Sequence, residues 1–100
     1  MPTMSSTTAA TRRRLKARIR RFDTKAARLR AMEEGPRMSR SFAAEDRLRG
    51  RLFDEGERLA DDIVAYALAA TAPSETVDRV GVRALALFVD APAARGWFYR

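Results

Sequence analysis

Between Arg12 and Met32 the chain reads RRRLKARIRRFDTKAARLRAM, where Leu15, Ile19, Phe22, Ala26 and Leu29 recur at spacings of four, three, four and three. On an α-helix that interval returns each residue to the same side, so the stretch is an amphipathic helix with one narrow apolar seam. The rest of its surface is nearly all arginine. Ten of the chain's twenty Lys and Arg residues lie here, against a single acid, Asp23. A chain with this feature must bury the seam, and it must do so without burying the charges that flank it.

The charge is confined to one end. Residues 1–40 hold twelve basic and three acidic residues, whereas residues 41–100 hold eight and ten. A basic arm is thus joined to a near-neutral body. All but Lys16 and Lys25 of the basic residues are arginine. The planar guanidinium suits paired contacts to phosphate or carboxylate better than an ammonium point charge does.

One hundred residues suffice for a single modest core. Nineteen alanines thin that core, and closely packed helices are its natural form. No segment alternates apolar and polar residues with β-branched enrichment, so no sheet is expected. Residues 1–11, MPTMSSTTAAT, lack apolar periodicity and read as a disordered tail ending in an N-cap at Thr8 or Thr11. A single helical domain then occupies residues 12–100.

Its first helix covers 12–34 and stops at Gly35-Pro36. Arg12, Arg13 and Arg14 at its positive end and Glu33 and Glu34 at its negative end oppose the macrodipole, each costing about 0.3–1 kcal/mol. Such placement suggests selection by an outside partner. At about 33 Å the helix should protrude from the domain or pair with a second copy through its seam, giving a homodimer. A basic connector, RMSRS, offers Ser39 or Ser41 as the next N-cap.

The second helix covers 42–70 as one element, with Leu48, Leu52, Leu59, Ile63 and Tyr66 inward; Gly50 and Gly56 mark where a break could fall, with Asp54 and Glu57 able to restart the helix as a capping box. The third covers 75–89 with Ser74 as N-cap, burying Val77, Val80, Ala84, Leu87 and Phe88. Residues 90–100 form an aromatic tail. The fold class is therefore all-α: a three-helix arrangement of a long basic helix and a helical hairpin. Segment 66–82, YALAATAPSETVDRVGV, gives that hairpin a helix-turn-helix-like pattern, with Thr71 where glycine is usual.

The chemistry is narrowed by what is missing. The chain has no Cys, His, Asn or Gln. Imidazole and thiolate catalysis, imidazole or thiolate zinc sites and disulfides are thereby excluded, and the chain is expected to be non-enzymatic and to need no cofactor or metal. Glu57 and Asp61 share a helical face and suit a hard cation, but Arg51 with Glu55, Asp54 with Arg58, and Arg58 with Asp62 read as ordinary i,i+4 pairs on a solvated face. No secretory leader pattern or membrane span is present, which points to the cytoplasm.

The leading functional expectation is nucleic-acid binding through Arg12, Arg13, Arg14, Lys16, Arg18, Arg20, Arg21, Lys25, Arg28 and Arg30, on DNA or RNA. Without Asn and Gln, adenine cannot be read in the usual bidentate way, so phosphate and shape should dominate. The alternative is a small helical adaptor or inhibitor, of the type mobile elements and phages encode, that docks on an acidic protein surface. Trp97, Phe98 and Tyr99 either anchor such a partner or fold back to close the core, and the thin core favours closure.

Overall fold

The computed structural model describes residues 6–99 and is helical wherever it has regular structure. Helix α1 is Ser6–Glu34, α2 is Phe42–Ala69, α3 is Val77–Ala86 and α4 is Pro92–Phe98, with a single 3₁₀ turn, Arg37–Ser39, between α1 and α2. The expected all-α arrangement of a long basic helix and a hairpin holds, with a fourth helix added.

Helices α1 and α2 run antiparallel. Arg18 meets Asp62, Lys25 meets Glu55 and Glu33 meets Arg49, which fixes the register. With 29 and 28 residues the two helices match in length. In this register α1 packs on α2 over most of its length, and its first turn reaches past the end of α2 at Ala69. The molecule is elongated along the pair, with extents of 59 × 23 × 20 Å and a radius of gyration of 16.0 Å, above the ~13 Å of a compact chain this size.

The seam is what joins them. Leu15, Ile19, Phe22, Ala26 and Leu29 are buried to between 0 and 7 % exposure, against Leu52, Leu59, Ile63 and Tyr66 of α2. Each large side chain so buried contributes about 1.5–3 kcal/mol. Because the seam is consumed within one chain, it is not available for pairing with a second copy.

Four sequence expectations are decided here, three of them by correction. The helix begins at Ser6, so residues 6–11 of the expected tail are helical, while residues 1–5 lie outside the described part. Thr8 and Thr11 precede Leu15 at seam spacing and are half-buried, and the Thr11 hydroxyl donates to the Thr7 carbonyl within the helix. Seam positions filled by threonine do not register as apolar periodicity. This start also moves Arg12–Arg14 past the first turn, where the macrodipole has faded. Charges that oppose the macrodipole therefore remain only at Glu33 and Glu34.

Second, α2 is the one element expected, with no break: it passes through Gly50 and Gly56 as one helix, capped by the Ser41 hydroxyl accepting from the Ala44 amide at 3.3 Å. Gly56 is placed where a side chain would meet the Phe22 and Trp97 rings, at 3.5 and 3.4 Å. Close packing against these rings of α1 and α4 is what a glycine permits there, set against its lower helix propensity. Third, α3 starts at Val77 after Thr76, not at Glu75 after Ser74, and Val77 is 86 % exposed. The Glu75 carboxylate instead accepts from the Ala72 amide and from Arg83, tying the connection down. Residues 70–76 between α2 and α3 are longer than the three- or four-residue turn of a helix-turn-helix, so the hairpin departs from that motif.

Fourth, residues 92–98 are a helix. Pro92 occupies its first turn, where its missing N–H costs nothing, and Ala91 and Ala94 are buried against the core. Its cap comes from another helix. The Asp23 carboxylate accepts from the Ala94 amide at 2.9 Å, so the one acid of the basic stretch is what docks α4 on α1.

Candidate functional site

The antiparallel pair α1/α2 has a groove on each side of its seam. One side is covered by α4, whose Ala93, Gly96 and Trp97 line it with Leu29, Phe53, Arg30, Glu33 and Arg49. The cations on that side are engaged: Arg30 pairs with Glu34 at 3.0 Å, and Arg49 pairs with Glu33 at 2.9 Å and with Asp46 at 2.7 Å. Hydrogen bonding to Glu33 holds the Arg49 guanidinium more firmly protonated than usual.

The other groove is open and strongly basic. On α1 it is lined by Arg14, Arg18, Arg21, Lys25 and Arg28, a stripe at spacings of four, three, four and three. The facing stripe of α2 supplies Arg47, Arg51 and Arg58, with Glu55 and Asp62 between and beyond them. Eight cations thus face two carboxylates along the groove. From Arg14 to Arg28 the stripe runs about 21 Å.

Both carboxylates are used across the groove and not along α2. Glu55 binds Lys25 at 2.7 Å and Asp62 binds Arg18 at 2.6 Å. The expected i,i+4 pairs of Arg51 with Glu55 and of Arg58 with Asp62 do not form, their carboxylates being taken by Lys25 and Arg18 of α1; Asp54 is exposed and does not pair with Arg58 either. Arg14, Arg21, Arg28, Arg47, Arg51 and Arg58 consequently make no ion pair among the described residues. Arg47, Arg51 and Arg58 are absent from the sequence-derived site. Their signal was their spacing of four and seven, which matches the α1 stripe once the helices are laid antiparallel.

The remaining basic residues of α1 lie elsewhere. Arg12, Arg13, Lys16 and Arg20 gather around Ala9 and Ala17 on another side of the helix, and Arg30 lies in the covered groove. The ten residues expected to act as one surface are therefore divided among three. Asp54, Glu57 and Asp61 are exposed on α2, and among the described residues no three acidic side chains gather closely enough to hold a metal ion.

The terminal aromatic residues close the core. Trp97 and Phe98 are half-buried, with ring centroids 6.0 and 5.1 Å from that of Phe22, and Phe98 lies 5.4 Å from Phe88. Tyr99 sets its edge against Phe88 at 5.5 Å and stays half exposed. Contacts within the chain thus engage the rings of Trp97 and Phe98.

Two arginines of the body serve structure. Arg40 reaches the buried Glu45 with a pair of hydrogen bonds, at 2.6 and 3.3 Å, and lies over the Phe42 ring at 4.8 Å. The hydrogen bond to Glu45 raises the Arg40 pKa. Arg83 binds Glu75 and the Thr71 hydroxyl, and the Ala72 amide followed by Arg83 holds the Glu75 carboxyl below its ordinary pKa. No helix among the described residues is long and apolar enough to cross a membrane. The chain matches no known protein family, no curated protein and no solved structure.

Proposed function

We propose that the open α1/α2 groove binds the phosphate backbone of duplex nucleic acid, DNA or RNA, without catalysis and with little base preference. The observation that carries this reading is the six arginines of the groove left without a carboxylate. Unpaired guanidinium groups in a row of about 21 Å match a row of phosphates, and binding gains from the counterions those phosphates release. The fork of each guanidinium suits phosphate oxygens.

Two further features favour a duplex over a single strand. Single strands are gripped by aromatic faces on which bases stack. The rings that line this groove, Phe22 and Tyr66, are 2 and 6 % exposed, their faces taken by the core. Base edges are read mainly by Asn, Gln and Arg, and the first two do not occur in the chain. Contacts to backbone, which position a protein without reading sequence, are what remain.

The test is a salt series of binding to duplex DNA, duplex RNA and single strands of unrelated sequence. With five or more phosphates neutralised, log K should fall against log salt with a slope of about −4 or steeper on the DNA duplex. Single strands should bind more weakly, and scrambling the sequence should change little. A flat salt dependence, or no binding at about 50 mM salt, removes the reading. Capture of an acidic protein by a chain that ignores nucleic acid replaces it with the adaptor alternative.

A further inference from the structure

The face built on Ala9, Arg12, Arg13, Lys16, Ala17 and Arg20 has no part in the open groove. Counted at about 100° per residue, its centre lies roughly 145° around α1 from the stripe Arg14–Arg28. Four cations line it and no acid does. None of the four makes an ion pair among the described residues. The nearest acid on that side, Asp23, is occupied by the Ala94 amide. Two alanines leave the backbone low between the basic side chains, so a broad rigid partner can approach closely.

From these features we infer that this outer face holds a second duplex DNA segment while the groove holds the first, so that one chain bridges two duplexes. The inference rests on the groove reading above. Charge complementarity selects the occupant: a surface of four cations with no carboxylate fits a polyanion, and it offers no apolar patch for a protein partner. Bridging follows from direction, since a rigid duplex seated over the groove leaves the far side of α1 uncovered. The seam is buried and the lengths of α1 and α2 match, so the two faces are held apart by a fixed helix and not by a linker.

The experiment immobilises a short duplex DNA on beads, saturates it with the full chain and offers a second, fluorescent duplex. The unaltered chain should capture the second duplex. An outer-face variant, R12E/R13E/K16E/R20E, should still bind the immobilised duplex but lose capture by roughly tenfold or more. A neutral version, R12Q/R13Q/K16Q/R20Q, keeps good helix formers at every position and gives the same test if charge reversal disturbs folding. Capture that persists in a folded outer-face variant overturns the inference, because bridging then runs through copies of the chain. Binding without capture also overturns it, with the groove reading intact. So does an outer-face variant whose loss of capture only follows its lost affinity for the first duplex, which places both faces on one duplex. Failure of the unaltered chain to bind the immobilised duplex removes the groove reading itself.

Discussion

The two grooves of the α1/α2 pair are made by the same two helices and contain the same residue type, yet they differ in what their arginines touch. In the groove covered by α4, Arg30 and Arg49 are held by Glu34, Glu33 and Asp46. In the open groove six arginines have no carboxylate. The covered side spends its charge on closing the fold. The open side keeps it for something outside. The abundance of arginine in a sequence therefore says little by itself, and the pairing of each one decides.

The largest effect available breaks the covered side. Phe22 lies beneath Trp97 and Phe98, and Phe22→Ala should cost about 3–5 kcal/mol, read as a loss of urea resistance, with α4 released. A loss below about 1 kcal/mol would show that the aromatic cluster does not hold the two sides apart. A smaller break on the same side is Asp23→Ala. Removing the cap of α4 should cost about 0.5–2 kcal/mol and change the emission of Trp97, the only tryptophan, while the affinity of the groove for duplex stays the same or rises.

Gly50→Ala sharpens the comparison from the other direction. Its added methyl meets no neighbouring atom within 4 Å, so it should stabilise α2 by about 1 kcal/mol and leave binding unchanged. A chain stabilised this way provides a tolerant background for the charge variants. The smallest effect is a pH dependence at the α2–α3 connection. The folded-state pKa of Glu75 lies below its ordinary value of 4.5, so its contribution is complete above that value and is lost as pH falls through the folded-state pKa. Acid unfolding of Glu75→Gln should lack this component, whereas the duplex-binding groove, which does not use Glu75, should not notice the substitution.

What the sequence makes legible follows from how local its cause is. The seam Leu15 to Leu29 is periodic within one helix, and all five residues are buried as the spacing predicts. The inward residues of α2 are found for the same reason, whereas Leu87 and Phe88 are buried although α3 ends at Ala86, short of the expected 89. Val77 is missed because α3 begins there, beyond the cover of α2. The short helix α4 is missed because its cap is Asp23, about seventy residues earlier in the chain.

The site shows the same division. Its α1 half is legible from composition, but its α2 half is not. Arg51 and Arg58 each have an acid four residues away, so the sequence shows them as satisfied pairs. Only the antiparallel register reveals that Lys25 and Arg18 claim Glu55 and Asp62 first. An ion pair is a competition among all the partners in reach, and partners on another helix are invisible to local spacing.

That competition supplies the most direct test of the account. The measurement is the salt dependence of duplex DNA binding by Arg47→Gln/Arg51→Gln/Arg58→Gln beside that of the unaltered chain, with helix content checked in parallel. The three substitutions lie outside the basic stretch of α1 and should leave the fold intact. If the open groove is the phosphate-binding surface, the slope of log K against log salt should become shallower by about 2–3. An unchanged slope would contradict the claim, placing the binding on α1 alone and reducing the α2 arginines to surface charge.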